Sequence, residues 1–556
     1  MKVSGSLAAL LLAVFLLLGL DGARRDTPTV DEFAHLPAGC AALRHGSFHL
    51  YRTTPPLARM WMAAPLVLRD IVVPPPPALR PTEWEPWIYG STFLRANRDR
   101  YLRDFFSARL SVLALAVAGG VIVYAWAFRL YGAAAAVGAV FLYTFCPNLQ
   151  AHGHLATVDA AFTTAALATF FSLDHYRRCP GAVRLVVLGL TLGLALLTKF
   201  TAVLMLPVLF VLLVGVAIPA GTGATVRLRG AGTALRRASL RFAVLCVVAL
   251  LVVNVGYGMH GTMEPLGSFH WQSAFGQSVA GLLPESLPVP LPRDFIAGFD
   301  MQKLVTERGE FGCYFRGAWS PRCPRIAALA VLGLKLPVPT LALLLWTLAS
   351  LTRRRGPLLD EALCWLFPVV LLLAFSLFNA LDVAIRYLLP ILPFLYLASA
   401  RLLAGTRALS IRGGVLAACG AALVVTTART HPHQLSYFNV LAGGPAEGHR
   451  WLIDSNLDWG QDLAAVRPYM ETRGLPFVYL LYFGHVEPEI YGIRYALPPT
   501  PPRPGTYVVS VNFVKGYEYV APDHWRTVRA YGAPAWLREA APVDRIGYSL
   551  WVYRVP

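Results

Sequence analysis

Two adjacent carboxylates and a histidine, Asp31, Glu32 and His35, open the segment DEFAHLPAGCAALRHGSFHLYRTTPPL directly after the first apolar run. Three more ionisable residues stand at the ends of later apolar runs: Asp159 in QAHGHLATVDAAF, Lys199 in LLTKFTA and Arg386 in DVAIRYLLP. A carboxylate within hydrogen-bond reach of a hydroxyl can take its proton as the oxygen attacks, a role worth roughly 10²–10⁴ in rate. A lysine or arginine can meet the negative charge that grows on a departing phosphate. Together these types suit transfer of a group from a lipid phosphate to a hydroxyl, with Asp31 as the base and Lys199 and Arg386 on the phosphate. Attack opposite the phosphate would invert the reacting carbon. Each residue also has a plainer reading: Asp31 and Glu32 can cap a helix starting near Phe33, and Lys199 or Arg386 can snorkel to lipid headgroups.

The elements that must position them follow from composition. Of 556 residues, 56% are hydrophobic and 14% charged, which is the balance of an integral membrane protein and not of a soluble one. The net charge of +18 lies in short arginine clusters between apolar runs, so it reads as topology, and no nucleic-acid partner is expected. About eleven stretches are apolar enough to approach the 20 or so helical residues that cross a bilayer. They cover roughly 6–20, 105–128, 133–146, 160–173, 185–197, 202–220, 242–257, 326–351, 362–378, 387–403 and 413–426. With the N-terminus inside, the inner loops hold Arg129, Arg177, Arg178, Arg184, Arg227, Arg229, Arg236, Arg237, Arg241, Arg353, Arg354, Arg355, Arg407 and Arg412. Their few acids are chiefly Asp174, Asp360 and Glu361, whereas Asp31, Glu32, Glu83, Glu85, Asp99, Asp159, Glu264, Asp294, Glu310 and Asp382 fall outside. Acid chemistry is therefore expected on the outer face.

The chain divides into a transmembrane part, 1–428, with long outer segments 21–104 and 259–325, and a tail, 429–556, of ordinary soluble composition on the same outer face. In the first outer segment PLARMWMAAPLVL is too short to span and carries Arg59, so it reads as a helix in the interface. Pro74–Pro77 follows as a stiff spacer. The tail shows a helical pattern over 464–472 and strand patterns in PFVYLLYF, TYVVSVNF and YSLWVYRV, which predict a small α/β or α+β domain. The first apolar run reads as a retained helix, since no clean cleavage site follows it. No C-x-x-C pair marks a structural zinc site, and Cys313 and Cys323 could form a disulfide if their loop lies outside the cytosol.

The DE pair after the first span, the TPPL segment, HLATVDAAF, LGLALLTKFTA, RYLLPILPFLYL and the tail stretch HPHQLSYFNVLAGGPAEG…LIDSNLDWGQDL occur in one order. In that order they resemble the polyprenyl-phosphate-dependent GT-C glycosyltransferases, in the branch of the protein O-mannosyltransferases and the lipid A aminoarabinose transferases. The resemblance implies a GT-C fold, a polyprenyl-phosphate-linked sugar as donor and a protein, lipid or glycan as acceptor, all at the membrane lipid surface. It also implies a catalytic acid at Asp31 with Glu32 beside it, a second acid at Asp159 and a basic residue at Lys199.

Aminoarabinose-transferring relatives tend to carry an Arg and a Lys where this chain has Ala34 and Pro55, so Arg52 or Arg59 would have to bind phosphate instead. Glu32, His35, His152, His154 and Asp159 have the side chains of a divalent metal site. The favoured reading is metal-free: Glu32 pairs with His35 on a helix, and His152 and His154 hydrogen-bond the second acid. No cofactor is expected. In the tail Asp454, Asn456, Asp458, Trp459, Gln461 and Asp462 are open to structural or acceptor-contacting roles, with Asp458 as a candidate helix cap. An Ala, Arg, Gly and Pro bias points to a GC-rich bacterial genome and hence to the inner membrane and undecaprenyl phosphate. The competing readings are a transporter or flippase of lipid-linked substrates, a hydrolase, and an assembly protein that would tolerate Asp31→Asn.

Overall fold

The computed structural model describes residues 2–77, 85–218, 224–309, 312–351, 358–378, 384–406, 410–523 and 527–556. Glu83, Glu310, Asp382, Arg353, Arg354, Arg355 and Arg407, placed in loops by the sequence, lie outside the described residues. The chain is a polytopic helical membrane protein whose C-terminal region carries a mixed sheet. All eleven apolar stretches are helical over most of their length. Seven helices among the described residues are long and apolar enough to span a membrane, and the pair α6 (Ala133–Thr144) and α7 (Pro147–His154), bent by 66°, makes an eighth if it counts as one span.

The remaining three stretches fall short for readable reasons. Helix α8 (Asp159–Arg178) begins on one carboxylate and ends on Asp174, Arg177 and Arg178; α9 (Ala182–Leu196) has 15 residues; and 326–351 breaks at Leu336 ahead of Pro337, where the ring removes a helix hydrogen bond. At one end of α8, Asp174 is fully buried against Arg177 at 2.6 Å and Arg129 at 3.4 Å, and Arg177 also pairs with Asp360. Asp159 stands at the other end, about 22 Å away along the helix axis. The Asp174 ion-pair group and Asp159 thus stand at opposite ends of α8.

Helix α1 (Lys2–Arg25) leads into α2 (Val30–His45), which opens with a capping box: Thr29 N donates to Glu32 at 2.9 Å and the Thr29 hydroxyl meets the same carboxylate at 3.1 Å. The interfacial stretch forms α3 (Leu57–Val67), which buries Met62, Ala63 and Leu66 and leaves Trp61 half exposed. It packs hard on α2, because a Cβ at Gly39 would lie 2.1 Å from the Arg59 carbonyl oxygen. The proline spacer runs without regular structure and is tied down by the Tyr89 hydroxyl to Pro74 O at 2.6 Å. Helix α4 (Glu85–Ala96) packs on α2, and α5 (Tyr101–Tyr131) crosses behind this outer layer.

In the tail, β3 (Val478–Leu481), β4 (Tyr495–Ala496), β5 (Gly505–Ser510), β6 (Asp544–Ile546) and β7 (Leu550–Val555) form a sheet in the order β6–β7–β5–β3–β4. The β7–β5 pair is antiparallel and β5–β3 parallel, so the three strands read from sequence are its centre. A hairpin of β1 (Cys313–Phe315) and β2 (Ala318–Ser320) precedes them in the second outer segment, and Cys313 is bonded to Cys323. Past the end of the last long apolar helix at Thr430, much of 434–463 is buried: Trp459, Asn456, Asp458 and Gln461 are nearly solvent-free.

Candidate functional site

Asp31 lies in the first turn of α2, and Arg386 lies in a four-residue helix, Ile385–Leu388, 355 positions later. Arg386 Nη1 donates to Asp31 Oδ2 at 2.6 Å. Lys199, extended between α9 and the turn Phe200–Leu204, donates from Nζ to Asp159 Oδ1 at 2.6 Å at the start of α8. The two ion pairs share one aromatic ring: Lys199 Nζ is 4.9 Å and Arg386 Cζ 4.8 Å from the Tyr387 ring centre. Trp459 covers another side of the guanidinium at 4.6 Å. The structure thus brings Asp31, Asp159, Lys199 and Arg386 into one cluster.

Accessibility separates their roles. The side chains of Asp31, Lys199 and Arg386 keep 14%, 13% and 16% of their surface, whereas Asp159 keeps 1%. Asp31 is partly open, whereas Asp159 is enclosed and bonded to Lys199. Arg386 has its Nη atoms on Asp31 and the Tyr387 hydroxyl, while its buried Nε has no partner among the described residues. That orphan donor, next to a lysine, is a ready seat for an anionic oxygen.

Glu32 belongs to a different construction. Successive helical residues point about 100° apart, and Glu32 turns away from Asp31 into the interface with α5. There Arg109 holds both its oxygens, at 2.8 and 2.7 Å, and Ala156 N adds a third bond at 2.7 Å. Burial raises the Glu32 pKa, but Arg109 and the backbone N–H groups outweigh it and hold the group below its ordinary value. Arg109 completes its own five donors on Glu32 and the carbonyls of Ala23, Asp26 and Thr27. Glu32 and His35 do not pair: His35 packs on the Tyr51 ring at 4.4 Å with both nitrogens unpartnered among the described residues, and burial followed by the charge of Arg59 pushes it down to about 3.

The other two expected phosphate ligands are bonded outside the four-residue cluster, Arg59 lying over the Tyr51 ring at 5.5 Å with its buried Nε unpartnered among the described residues. Arg59 donates to Leu50 O at 2.7 Å and Thr54 O at 2.8 Å, fixing the loop before α3, and Arg52 pairs with Asp294 of the second outer segment at 3.1 Å. His154 bonds Asp26 at 2.8 Å and Gln150 O at 2.9 Å, so it does not serve the second acid. His152 is the histidine in the electrostatic field of Asp159, and it packs 6.0 Å from Trp459. Among the described residues no three His, Cys, Asp or Glu side chains converge as a metal ion would need.

The tail motif supports the cluster from behind. Val30 N donates to Trp459 O at 3.1 Å, Thr27 N to Gln461 O at 2.9 Å and Ala464 N to the Thr27 hydroxyl at 2.9 Å, which fixes the start of α2. Asn456 accepts from Ile385 N at 3.0 Å, fixing the turn that carries Arg386. The buried Lys335 Nζ donates to Asn456 O at 2.6 Å and Leu435 O at 3.0 Å. Asp458 accepts from Gly460 N at 3.0 Å and meets Ser510, so it secures the loop and sheet and does not cap the helix Val466–Thr472. Burial pushes Asp458 up to about 8. Asp454 alone of the motif's carboxylates faces the cluster, half-buried at φ +53°, with burial raising its pKa against the charge of Arg386.

Residues 102–222 match the family model of the dolichyl-phosphate-mannose-protein mannosyltransferases. The motif resemblance is met there, over the part of the chain that carries Asp159 and Lys199. The fold is similar to crystal structures of ArnT from Cupriavidus metallidurans bound to undecaprenyl phosphate, at 14% identity and TM-score 0.48, with 94% of this chain and 97% of that one covered. It is also similar to the Archaeoglobus fulgidus oligosaccharyltransferase, at 13% identity and TM-score 0.43, covering 91% and 70%. The S. cerevisiae protein O-mannosyltransferase complex bound to its sugar donor matches at 15% identity and TM-score 0.33, covering 47% and 34%. No curated protein sequence matches the chain.

Proposed function

We propose that this protein is an integral membrane glycosyltransferase of the GT-C type that moves a sugar from a polyprenyl-phosphate donor to an acceptor hydroxyl, with inversion. The observation that carries the reading is the meeting of two ion pairs, Asp31–Arg386 and Asp159–Lys199, around Tyr387 at one end of the bundle. The donor phosphate seats on Lys199 Nζ and Arg386 Nε, and as it draws Arg386 toward itself it releases Asp31 to accept the acceptor's proton. A phosphate is already a good leaving group, so the developing charge needs a cation and not a strong acid. The match of 102–222 to a dolichyl-phosphate-mannose-dependent family supports this donor class.

The same reading puts the cluster on the outer face of a bacterial inner membrane, with the N-terminus in the cytoplasm and the tail in the periplasm. The Cys313–Cys323 bond in the second outer segment supports that side, since disulfides persist in oxidising compartments. A transporter would gather its charges near the bilayer midplane, whereas here they lie at a bundle end. The test is to offer the purified protein, in lipid nanodiscs with membrane extract as acceptor, a panel of polyprenyl-phosphate sugars. Release of free polyprenyl phosphate with label in product from one donor is expected; consumption of none refutes the reading.

A further inference from the structure

The tail and the second outer segment flank an open cleft of roughly 500 Å³ distinct from the cluster around Tyr387. Its walls carry Arg316 and Trp319 from the β1–β2 hairpin, Arg450, and Lys515 and Arg538 from the sheet region. The hairpin is held in place by Arg316 N to Trp451 O at 3.0 Å, the Tyr314 hydroxyl to His449 O at 2.9 Å and Trp319 Nε1 to Lys515 O at 2.8 Å. These are fixed walls, not a chance gathering of side chains on a loop.

The charge of the cleft is one-sided. Four cations line it, and among the described residues the one carboxylate that pairs with any of them is Glu447, on Arg450 at 2.6 Å. Burial and then the neighbouring Arg450 hold the Lys515 ammonium below its usual value, as expected where positive charges crowd. Arg316 and Arg538 are exposed, and the Trp319 ring is 38% exposed at the rim. A guanidinium offers a planar fork that fits phosphate or carboxylate oxygens in pairs. The part-exposed indole, packed beside the rings of Tyr314 and Tyr517, offers apolar area to the C–H face of a pyranose ring.

The cleft is joined to the cluster by a short stretch of chain. Arg450 and Asp454 are four residues apart, so at most about 14 Å of backbone separates the cleft wall from the carboxylate facing Arg386. An oligosaccharide of a few sugar units is long enough to span that separation.

We propose that this cleft binds an anionic saccharide, carrying carboxylate or phosphate groups, as the body of the acceptor whose hydroxyl reacts at Asp31. The proposal rests on the transferase reading for the word acceptor, but binding itself is independent of turnover. The test uses the full chain in zwitterionic nanodiscs and compares trigalacturonate with neutral galactotriose by calorimetry, in wild type and in the double variant Arg316→Gln, Arg538→Gln. Trigalacturonate is expected to bind at least tenfold tighter than galactotriose, to weaken with added salt, and to lose that preference in the double variant. Asp31→Asn should bind it as wild type does, so a failure of the transferase assay would leave this result standing. Equal binding of the two sugars, or an unchanged preference in the double variant, overturns the proposal. So does displacement of trigalacturonate when phosphatidylglycerol is added to the discs, which would assign the cleft to lipid headgroups.

Discussion

Glu32 and Asp31 are neighbours in sequence, yet the structure predicts opposite consequences for their amides. In Glu32→Gln the buried Arg109 loses its counter-charge and one of its two bonds to this side chain, at 2.8 and 2.7 Å, because the amide NH2 only donates; it keeps the amide oxygen and three carbonyl acceptors. The lost bond to a charged group is worth about 1.5–3 kcal/mol. The lost counter-charge brings the total toward the roughly 3–5 kcal/mol expected on breaking a buried ion pair from one side. Replacing both partners, as Glu32→Leu with Arg109→Met, should recover much of the loss, because no buried charge is then left alone. Asp31→Asn, with its partly open side chain, should unfold close to wild type. Equilibrium unfolding of the four proteins in mixed micelles measures this directly, with turnover followed on the same samples. The reasoning is refuted if Glu32→Gln unfolds like wild type while losing turnover as completely as Asp31→Asn; Glu32 would then act in the chemistry.

Other expectations follow from the same contacts. Lys199→Ala and Arg386→Ala each remove a charge-assisted bond to the donor phosphate, worth about 1.5–3 kcal/mol or roughly 10- to 150-fold, and should raise donor KM by about that factor in steady-state assays. Trp459→Leu removes the ring over Arg386, a cation–π contact worth about 0.5–2 kcal/mol; donor affinity should fall by at most roughly 30-fold, and no change would remove Trp459 from the account. Asp458, buried and pushed up to about 8, binds a proton in the folded state that the unfolded chain releases near pH 4. Its contribution to stability is therefore present below pH 4 and declines as pH rises toward about 8. Asp458→Asn, which copies the protonated form, should flatten that decline in unfolding curves measured between pH 5 and 8; an unchanged slope contradicts the assignment.

Much of the architecture was legible because it is written in local pattern. Apolar runs gave the helices, alternation gave β3, β5 and β7, and one apolar stretch failed as a single span only where Pro337 interrupts it. Charges at span ends named four residues that do converge, since the ends of adjacent helices on one side have few places to go. What the sequence could not carry was pairing over hundreds of residues. Asp31 meets Arg386 across 355 positions, and Arg109 takes Glu32 across 77. The second pairing had a signal: an arginine inside a long apolar helix needs a partner. Arg52 and His154 stand near the site in sequence, but Asp294 and Asp26 pair with them, while Arg59, bonded to the Leu50 and Thr54 carbonyls, stays beside Tyr51. Trp459 and Tyr387 carry no charge, so nothing in their residue type marked them as the rings that hold Arg386.

The central claim is that Asp31 is the base of a sugar transfer from a lipid phosphate. The most direct measurement is donor consumption and product formation by wild type and Asp31→Asn in nanodiscs, with the variant shown to be folded by its unfolding curve. A fall of about 10²–10⁴ in kcat, with donor affinity within a few fold of wild type, is the result expected. Turnover by Asp31→Asn at the wild-type rate would contradict the account.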